Sequence, residues 1–264
     1  MTELKHLQNV ILSIIKDLDE ICKKNDIEYY LLGGSCIGAI RHQGFIPWDD
    51  DLDIIMTRPN YDKFLKICEN ILDREKYSLQ RGEKDWPLDF SKVRLKGTYL
   101  HEPEDEYANE DMHGIYVDIF PMDNVADNNL LSKIQYIAAK YMLCYQLGQR
   151  KYKSAGLKKK LMIFAASPLK MKFLRDSINS FIRKYNKTDT SRLGFFFGRT
   201  KYKTAITNRS IYGNPKYVPF EDVLLPVPEY YHEYLTQMFG DYMKLPPENQ
   251  RKGFHLLSVD FGKY

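Results

Sequence analysis

Four aspartates, Asp49, Asp50, Asp51 and Asp53, stand directly before the apolar run IIM in the segment FIPWDDDLDIIM. Such an apolar run is typical of a buried strand, and carboxylates held together at its start repel one another and are costly to desolvate. A fold that contains this segment therefore needs positive charge among the carboxylates. If residues 49–53 are extended, Asp49, Asp51 and Asp53 share one face and Asp50 points away.

Three carboxylates on one face form a natural site for a hard divalent cation, and Mg²⁺ favours a few carboxylates together with phosphate oxygens of a substrate. The alternative is an acidic, solvated loop before a strand. The turn Gly33-Gly34-Ser35 weighs against that alternative, because it follows a predicted strand and opens a predicted helix, where free N–H groups favour phosphate. We expect the glycines to let phosphate approach the backbone, and Ser35 to cap the helix and donate a hydrogen bond.

The composition is that of a folded globular protein of enzyme size. The 264 residues are 44% hydrophobic and 28% charged, without a tract that would indicate disorder. The four cysteines show no CxxC spacing, so neither a zinc ribbon nor a disulfide framework is indicated. Charges interrupt the N-terminal segment and no stretch of about 18 apolar residues occurs, so we expect a cytoplasmic protein that does not cross a membrane.

Hydrophobic periodicity predicts a mixed α/β first part and a mostly helical second part. The elements predicted in the first part are helices over 3–24 and 58–72, a short helix opening at Ser35, and strands over 27–34, 51–56, 90–95 and 115–120, the last ended by Pro121. The helices predicted in the second part lie near 128–147, 157–166, 168–186 and 228–239. We divide the chain into 1–126 and 127–264, and we do not expect the two parts to fold independently.

The order of strand, Gly-Gly-Ser turn, short helix and Asp-x-Asp pair resembles the DNA-polymerase-beta-like nucleotidyltransferase superfamily. In that superfamily two metal-binding aspartates are joined by a third carboxylate from another strand. Asp118, in YVDIFPMD, is the candidate for the third position, because an unpaired carboxylate among apolar strand residues would be costly. Asp123 follows a proline, and a turn or cap role suits it equally well.

The stretch LLGGSCIGAIRHQGFIPWDDDLDI, followed by FSKVRLKGT, GIYVDIFPMD and YLTQMFGDYMKLPP, is similar to the LicD family of phosphotransferases, which is related to the fukutin group. The resemblance covers about residues 25–255. It implies a nucleotidyltransferase-like α/β core that carries the metal and nucleotide site, with a basic, mainly helical acceptor part packed on it. It also implies transfer of phosphorylcholine from CDP-choline to a sugar hydroxyl of a cell-surface glycan, with release of CMP. Teichoic acid, lipopolysaccharide and capsule precursors are the acceptors implied.

The resemblance assigns roles to the aspartates. Asp51 and Asp53 would hold Mg²⁺, with Mn²⁺ as the alternative ion, and Asp49 would add a third ligand or a water contact. Asp118 would either complete the metal site or accept the proton of the attacking hydroxyl. Asp118 and Asp49 are therefore the candidate catalytic residues.

Cationic residues are needed beside the phosphates, and Arg41, Lys92 and Arg94 are the candidates. Lys92 and Arg94 are two residues apart on one predicted strand, so both would face the same side and reach a diphosphate. The alternative is a surface strand with a charged outer face, and the family resemblance favours the diphosphate role, with Arg94 preferred over Lys92. His42 would contact phosphate or nucleotide, the alternative being a structural hydrogen bond.

The second half is strongly basic: residues 133–210 contain 19 Lys or Arg against two acids. The segment LKKKLMIFAASPLKMKFLRDSI, residues 157–178, mixes lysines with large apolar residues, as a helix at an anionic membrane surface would. A helix of this kind would hold the protein at the inner face of the cell membrane as a peripheral protein. Such a position would suit an acceptor that is carried on a lipid. The structural alternative is two solvated helices packed on the core by their apolar sides.

Other functions use the same features. Within enzymes, the donor could be CDP-ribitol or CDP-glycerol, or the reaction could be nucleotidyl transfer from an NTP. Outside enzymes, the basic half could belong to a nucleic-acid-binding module whose acidic stretch is only surface. If the protein is an enzyme of this kind, we expect no nucleic acid among its partners.

Overall fold

The computed structural model describes residues 2–101, 113–149, 156–198, 200–251, 253 and 258–264. The helices are α1 (Glu3–Lys24), α2 (Gly33–Ile37), α3 (Arg58–Ile71), α4 (Asn129–Gln149), α5 (Leu157–Ala165), α6 (Lys172–Ile182), α7 (Tyr202–Ala205), α8 (Arg209–Tyr212) and α9 (Tyr231–Phe239). The strands are β1 (Tyr30–Leu31), β2 (Asp53–Thr57), β3 (Tyr77–Gln80), β4 (Ser91–Leu95), β5 (Tyr99–His101), β6 (Tyr116–Val125), β7 (Arg192–Gly194), β8 (Ile206–Asn208), β9 (Lys216–Phe220), β10 (Val223–Val227) and β11 (Ser258–Asp260).

A mixed sheet in the order β1-β2-β6-β4-β3 forms the centre of the molecule, and β7 and β8 extend it from the far end of β6. Strand β2 runs parallel to β6, whereas β4 runs antiparallel to it. Strand β6 is buried along its whole length, because it has neighbours on both edges and helices pack against the sheet. The mixed α/β class expected from the sequence is confirmed.

Helix α1 covers one side of this sheet. Its apolar residues recur every three or four positions, and the side chains of Leu7, Ile14, Ile15 and Leu18 have no exposed surface. The Oγ1 atom of Thr2 accepts a hydrogen bond from the N–H of Lys5 and caps the helix start. The same apolar core includes Phe220, Leu225 and Leu235 from the second half of the chain.

Some predicted boundaries were wrong. The short helix begins at Gly33 instead of Ser35, and β1 comprises only Tyr30–Leu31 of the predicted strand 27–34. Strand β6 does not end at Pro121 but continues to Val125. The proline is tolerated because pairing with β4 ends at Ile119 and pairing with β7 begins at Asp123, so no antiparallel partner needs its missing N–H.

The second half contains more strand than the periodicity predicted. The predicted helices correspond to α4, α5, α6 and α9, but three-residue strands such as β7 and β8 and the hairpin β9–β10 lie between them. Strand β7 pairs with β6 across the predicted boundary at residue 126. Among the described residues, no helix combines the length and the apolar character needed to cross a membrane.

Candidate active site

Three neighbouring strands place Asp53, Asp118 and Lys92 side by side. In the pairing register, Asp53 on β2 lies opposite Asp118 on β6, and Asp118 lies opposite Lys92 on β4. Residues opposite one another in a sheet project to the same face. The Nζ atom of Lys92 lies 2.9 Å from Oδ1 of Asp118, and only 3% of the Lys92 side chain is exposed. We call these three residues the acidic row.

Asp49, Asp50 and Asp51 lie in the loop that leads into β2, not on the strand itself. We call these three residues the acidic loop. Each offers a carboxylate oxygen within 4.8 Å of the others. The expected alternation, with Asp50 pointing away, therefore does not hold, because this loop is not extended as a strand. A Cβ on Gly253 would lie 2.7 Å from Oδ2 of Asp50, so the C-terminal segment also packs against this carboxylate.

The carboxylates of the loop and of the acidic row form one electrostatic unit. Burial raises the pKa of Asp53 well above its ordinary value, and the negative charges of Asp51, Asp118 and Asp49 raise it further. The charge of Lys92 acts in the opposite direction but does not outweigh them. The ionised form of Asp53 is thus unfavourable unless further positive charge is present.

The chemistry of this donor set fits a hard divalent cation. The grouped side chains offer carboxylate oxygens only, and oxygen ligands of this type are those that Mg²⁺ and Mn²⁺ favour. Asp50 is buried, and Asp49 and Asp51 are partly buried, which distinguishes the group from an acidic surface loop. A cation among these oxygens would offset the repulsion that raises the pKa of Asp53.

The glycine turn contacts the acidic loop directly. Gly33 has φ = +55°, a conformation that glycine adopts without a steric penalty. A Cβ on Gly34 would lie 2.9 Å from Oδ2 of Asp49. The Oγ atom of Ser35 accepts a hydrogen bond of 2.9 Å from the N–H of Asp53. Ser35 therefore does not cap α2, whose N-cap position is Leu32, and its hydroxyl ties the turn to β2 instead.

The candidate cations divide into two groups. Lys92 contacts the acidic row, whereas Arg94, two residues further along β4, is buried and donates hydrogen bonds to Gln80 and to the carbonyl of Gly114. Both contact the ring of Tyr116, whose centroid lies 3.3 Å from Nζ of Lys92 and 4.7 Å from the guanidinium carbon of Arg94. The two cations do share a face, but Lys92 is the one that contacts Asp118.

Arg41 and His42 lie at the end of the π-helical turn Gly38–His42 that follows α2. The guanidinium of Arg41 donates hydrogen bonds to the carbonyl of Tyr242, at 2.5 Å, and to Nε2 of His42, at 3.0 Å. Burial and the charge of Arg41 lower the pKa of His42. The imidazole is edge-on to Trp48, with ring centroids 6.3 Å apart. These contacts join the turn to the C-terminal segment and to the acidic loop.

Several residues at the site were not predicted from the sequence. The buried side chain of Gln8 on α1 donates hydrogen bonds to the carbonyls of Ile46 and Asp49, and so ties the acidic loop to helix α1. Tyr116, whose ring contacts both cations, could have been found, because it is two residues before Asp118 on the same strand. Gln8 carries no such signal, because its partners are about 40 residues away.

Asp123 lies away from the acidic row. Alternation along β6 places residues 118 and 123 on opposite faces. Its carboxylate accepts two hydrogen bonds from the guanidinium of Arg58, at 2.8 and 3.0 Å, and one from Asn186 at 2.7 Å. Burial alone would raise the pKa of Asp123, but the charge and hydrogen bonds of Arg58 lower it below its ordinary value. Asp123 is thus part of a buried ion pair.

Comparison with known proteins agrees with this geometry. The LicD/FKTN/FKRP nucleotidyltransferase domain matches residues 26–146, the part of the chain that carries the acidic row, the acidic loop and the glycine turn. The match defines the class of these residues as a nucleotidyltransferase domain. Residues 26–146 thus form a domain of the LicD/FKTN/FKRP family.

Two relatives show how far the similarity extends. The chain is 28% identical over 262 residues to the lipopolysaccharide cholinephosphotransferase LicD of Haemophilus influenzae, which covers 96% of this chain and 96% of that protein. It is 32% identical over 103 residues to an uncharacterized protein of Rickettsia typhi, which covers 37% of this chain and 33% of that protein. The similarity to the first relative thus includes the basic second half.

Proposed function

We propose that this protein transfers phosphorylcholine from CDP-choline to a sugar hydroxyl of a cell-surface glycan and releases CMP. The observation that carries the proposal is the acidic row beside the acidic loop, within a domain of the LicD family. The relative from Haemophilus influenzae is named a lipopolysaccharide cholinephosphotransferase, and its similarity spans both chains almost completely. That name supports choline phosphate as the transferred group and an acceptor of the lipopolysaccharide type. Teichoic acid and a capsule precursor are alternative acceptors, which the name does not support.

In this reaction a bond forms between the sugar oxygen and the phosphorus of phosphorylcholine, and the bond from that phosphorus to the CMP oxygen breaks. The hydroxyl proton leaves to a base. Asp118 is suited either to accept it or to act as a metal ligand, and its contact with Lys92 fixes the orientation of the carboxylate in both roles. Lys92 also holds a buried positive charge at the site, which favours an anionic diphosphate.

Asp53 and Asp118 of the acidic row would hold Mg²⁺, or Mn²⁺ in its place, together with Asp49 and Asp51 of the acidic loop. Asp50 offers a further carboxylate oxygen in the same group. When bound, the ion supplies positive charge that offsets the charge developing on the phosphate oxygens. The same donor set would also serve CDP-ribitol, CDP-glycerol or an NTP. We propose that the reaction takes place on the cytoplasmic side of the cell membrane.

Ligand-dependent stabilisation tests the donor. CDP-choline with MgCl₂ should raise the Tm of the wild-type protein, because a ligand at 100 times its Kd stabilises the native state by about 2.7 kcal/mol. Asp51→Asn should abolish this shift, whereas Asp222→Asn, which alters an exposed aspartate paired with Lys16, should retain it. CDP-ribitol, CDP-glycerol and CTP serve as comparison ligands in the same assay.

If CDP-ribitol, CDP-glycerol or CTP raises the Tm more than CDP-choline does, the proposed donor is wrong. The proposed location of the active site would not be affected. A protein that ignores all these ligands, and binds nucleic acid with an affinity that falls steeply with salt, would contradict the enzyme proposal and favour the nucleic-acid-binding module.

Gly34→Ala tests the contact between the glycine turn and the acidic loop. The added Cβ would lie 2.9 Å from Oδ2 of Asp49, so this carboxylate must move away from its place in the site. Loss of a group that orients a metal ligand typically weakens metal affinity about 10- to 100-fold, and we expect a loss in this range by titration with Mn²⁺. Gly156→Ala is the matched control, since nothing lies within 4 Å of the added Cβ. Equal Mn²⁺ affinity in both variants would show that Asp49 does not contribute to the metal site.

A further inference from the structure

Helix α5 and the start of α6 expose an unusual amount of apolar surface. On α5, Leu157, Leu161 and Phe164 are 75%, 58% and 76% exposed. Immediately before and within α6, Met171 and Phe173 are 53% and 61% exposed. We call these five side chains the α5–α6 patch. The two elements follow one another through the short turn Ser167–Lys170. Five large apolar side chains left in water on such a segment are suited to an apolar partner.

The apolar side chains of α5 form a stripe that faces away from the protein. Leu157, Leu161 and Phe164 are spaced four and three residues apart, which places them on one face of the helix. Ile163 faces inward, because a Cβ added to Gly148 on α4 would lie 2.7 Å from its Cγ2 atom. None of the described side chains of α5 is fully buried. The alternative expected from the sequence was two solvated helices packed on the core by their apolar sides. It describes α6, whose Leu174 and Ile178 pack against a buried apolar cluster, but it does not describe the exposed stripe of α5.

Positive charge accompanies the patch along the chain. Residues 156–175 contain six Lys or Arg and neither Asp nor Glu, and Lys172 is paired with Asp176, which follows this stretch. Lys158 and Lys160 are exposed beside the apolar stripe of α5, and Lys170 and Lys172 are exposed beside Met171 and Phe173. Apolar side chains next to lysines complement a surface that offers hydrocarbon below a layer of negative charge. An anionic lipid bilayer has this arrangement.

We propose that the α5–α6 patch is a membrane-docking surface that binds an anionic bilayer, with the apolar side chains inserted at the acyl boundary and the lysines at the headgroups. Helix α5 has nine residues, a length of about 14 Å, so it would lie in the plane of the interface and not cross it. This docking does not depend on the identity of the donor.

Vesicle sedimentation tests the proposal with the full-length protein. Vesicles of phosphatidylcholine with about 30% phosphatidylglycerol are compared with vesicles of phosphatidylcholine alone. We expect the protein to bind the anionic vesicles at least about tenfold more strongly, and the binding to weaken with salt. The double variants Leu161→Ser/Phe164→Ser and Lys158→Glu/Lys160→Glu should each reduce binding about tenfold or more. Because all four side chains are exposed, the Tm should not change.

Two control variants separate this surface from others. Leu224→Ser removes an apolar side chain that is 55% exposed but lies beside Glu221 and Asp222, and it should bind vesicles like the wild type. Asp51→Asn should also bind normally, which separates docking from the proposed transferase reaction. Equal binding to both kinds of vesicle, or no vesicle binding, would overturn the proposal. Self-association of the wild type that the Leu161→Ser/Phe164→Ser variant abolishes would overturn it as well, in favour of a second copy of this chain.

Discussion

Asp53→Asn is expected to lower the transfer rate by roughly 10³-fold or more, since a bound metal ion contributes several kcal/mol of transition-state stabilisation. The same substitution is expected to raise the Tm of the metal-free protein. Burial and the charges of Asp51, Asp118 and Asp49 oppose ionisation of Asp53, so asparagine removes a charge that destabilises the native state. A substitution that lowers activity but raises stability is expected where repulsion between carboxylates destabilises the protein and favours the binding of a cation.

The pH dependence of stability provides a second measurement of the same effect. The pKa of Asp53 is raised in the folded protein, so its ionised form destabilises the native state at high pH. As pH falls through the raised folded value toward about 4, the pKa of an unfolded aspartate, the metal-free wild type should gain stability. Asp53→Asn should lack this gain.

Thermal melts of both proteins from pH 8 to pH 4.5, without and with MgCl₂, make this comparison. In the wild type Mg²⁺ should increase the Tm most at the highest pH, where Asp53 is most ionised and the repulsion is greatest. In Asp53→Asn the Mg²⁺ response should be small at every pH. A variant that melts below the wild type in the absence of metal would show that Asp53 stabilises the apo fold, contrary to the electrostatic argument.

The sequence predicts the parts of the fold that depend on local periodicity. The periodic apolar residues of 3–24 and 58–72 predict α1 and α3 to within a residue, and the positions of β2, β4 and β6 follow from short apolar runs. It also singles out Asp118, because a carboxylate within an apolar strand is costly without partners. Asp53 follows from the Asp-x-Asp pattern, and Lys92 was predicted only beside Arg94, which was preferred to it. Their roles in metal and phosphate binding stay predictions that the experiments above address.

Features that depend on distant pairing could not be predicted in the same way. The register that places Asp118 between Asp53 and Lys92 is set by strands that are far apart in the chain, and no local signal encodes it. The predicted start of β2 at Asp51 was wrong for a related reason, since β1 pairs with β2 only at Ile54 and Ile55 and the strand begins at Asp53.

The buried ion pair of Arg58 and Asp123 is a second example of distant pairing, and it carries the largest stability prediction. The guanidinium makes a two-bond contact with the carboxylate, and the two side chains are 7% and 5% exposed. Arg58 also contacts Asp89, which in turn binds Arg183. This network joins α3, β6, the segment before β4 and the residues that follow α6.

Asp123→Asn is expected to destabilise the protein by about 3–5 kcal/mol, because removing one partner of a buried pair leaves an uncompensated charge. For a chain of this size such a loss lowers the Tm by on the order of 10 °C. Asp222→Asn, which breaks an exposed aspartate–lysine pair, should change the Tm little. Chemical denaturation of the three proteins measures the difference in the free energy of unfolding.

Acid should act on this pair in the direction opposite to its effect on Asp53. The pKa of Asp123 is lowered in the folded state, mainly because Arg58 outweighs the effect of burial. The stability that the ionised carboxylate contributes is therefore fully present above about pH 4, the unfolded pKa, and is lost as pH falls through the lower folded value. The wild type should thus gain stability between pH 8 and pH 4.5 and lose it in stronger acid, and Asp123→Asn should remove only the second effect. If the variant keeps the acid-induced loss unchanged, the Arg58–Asp123 pair is not its source.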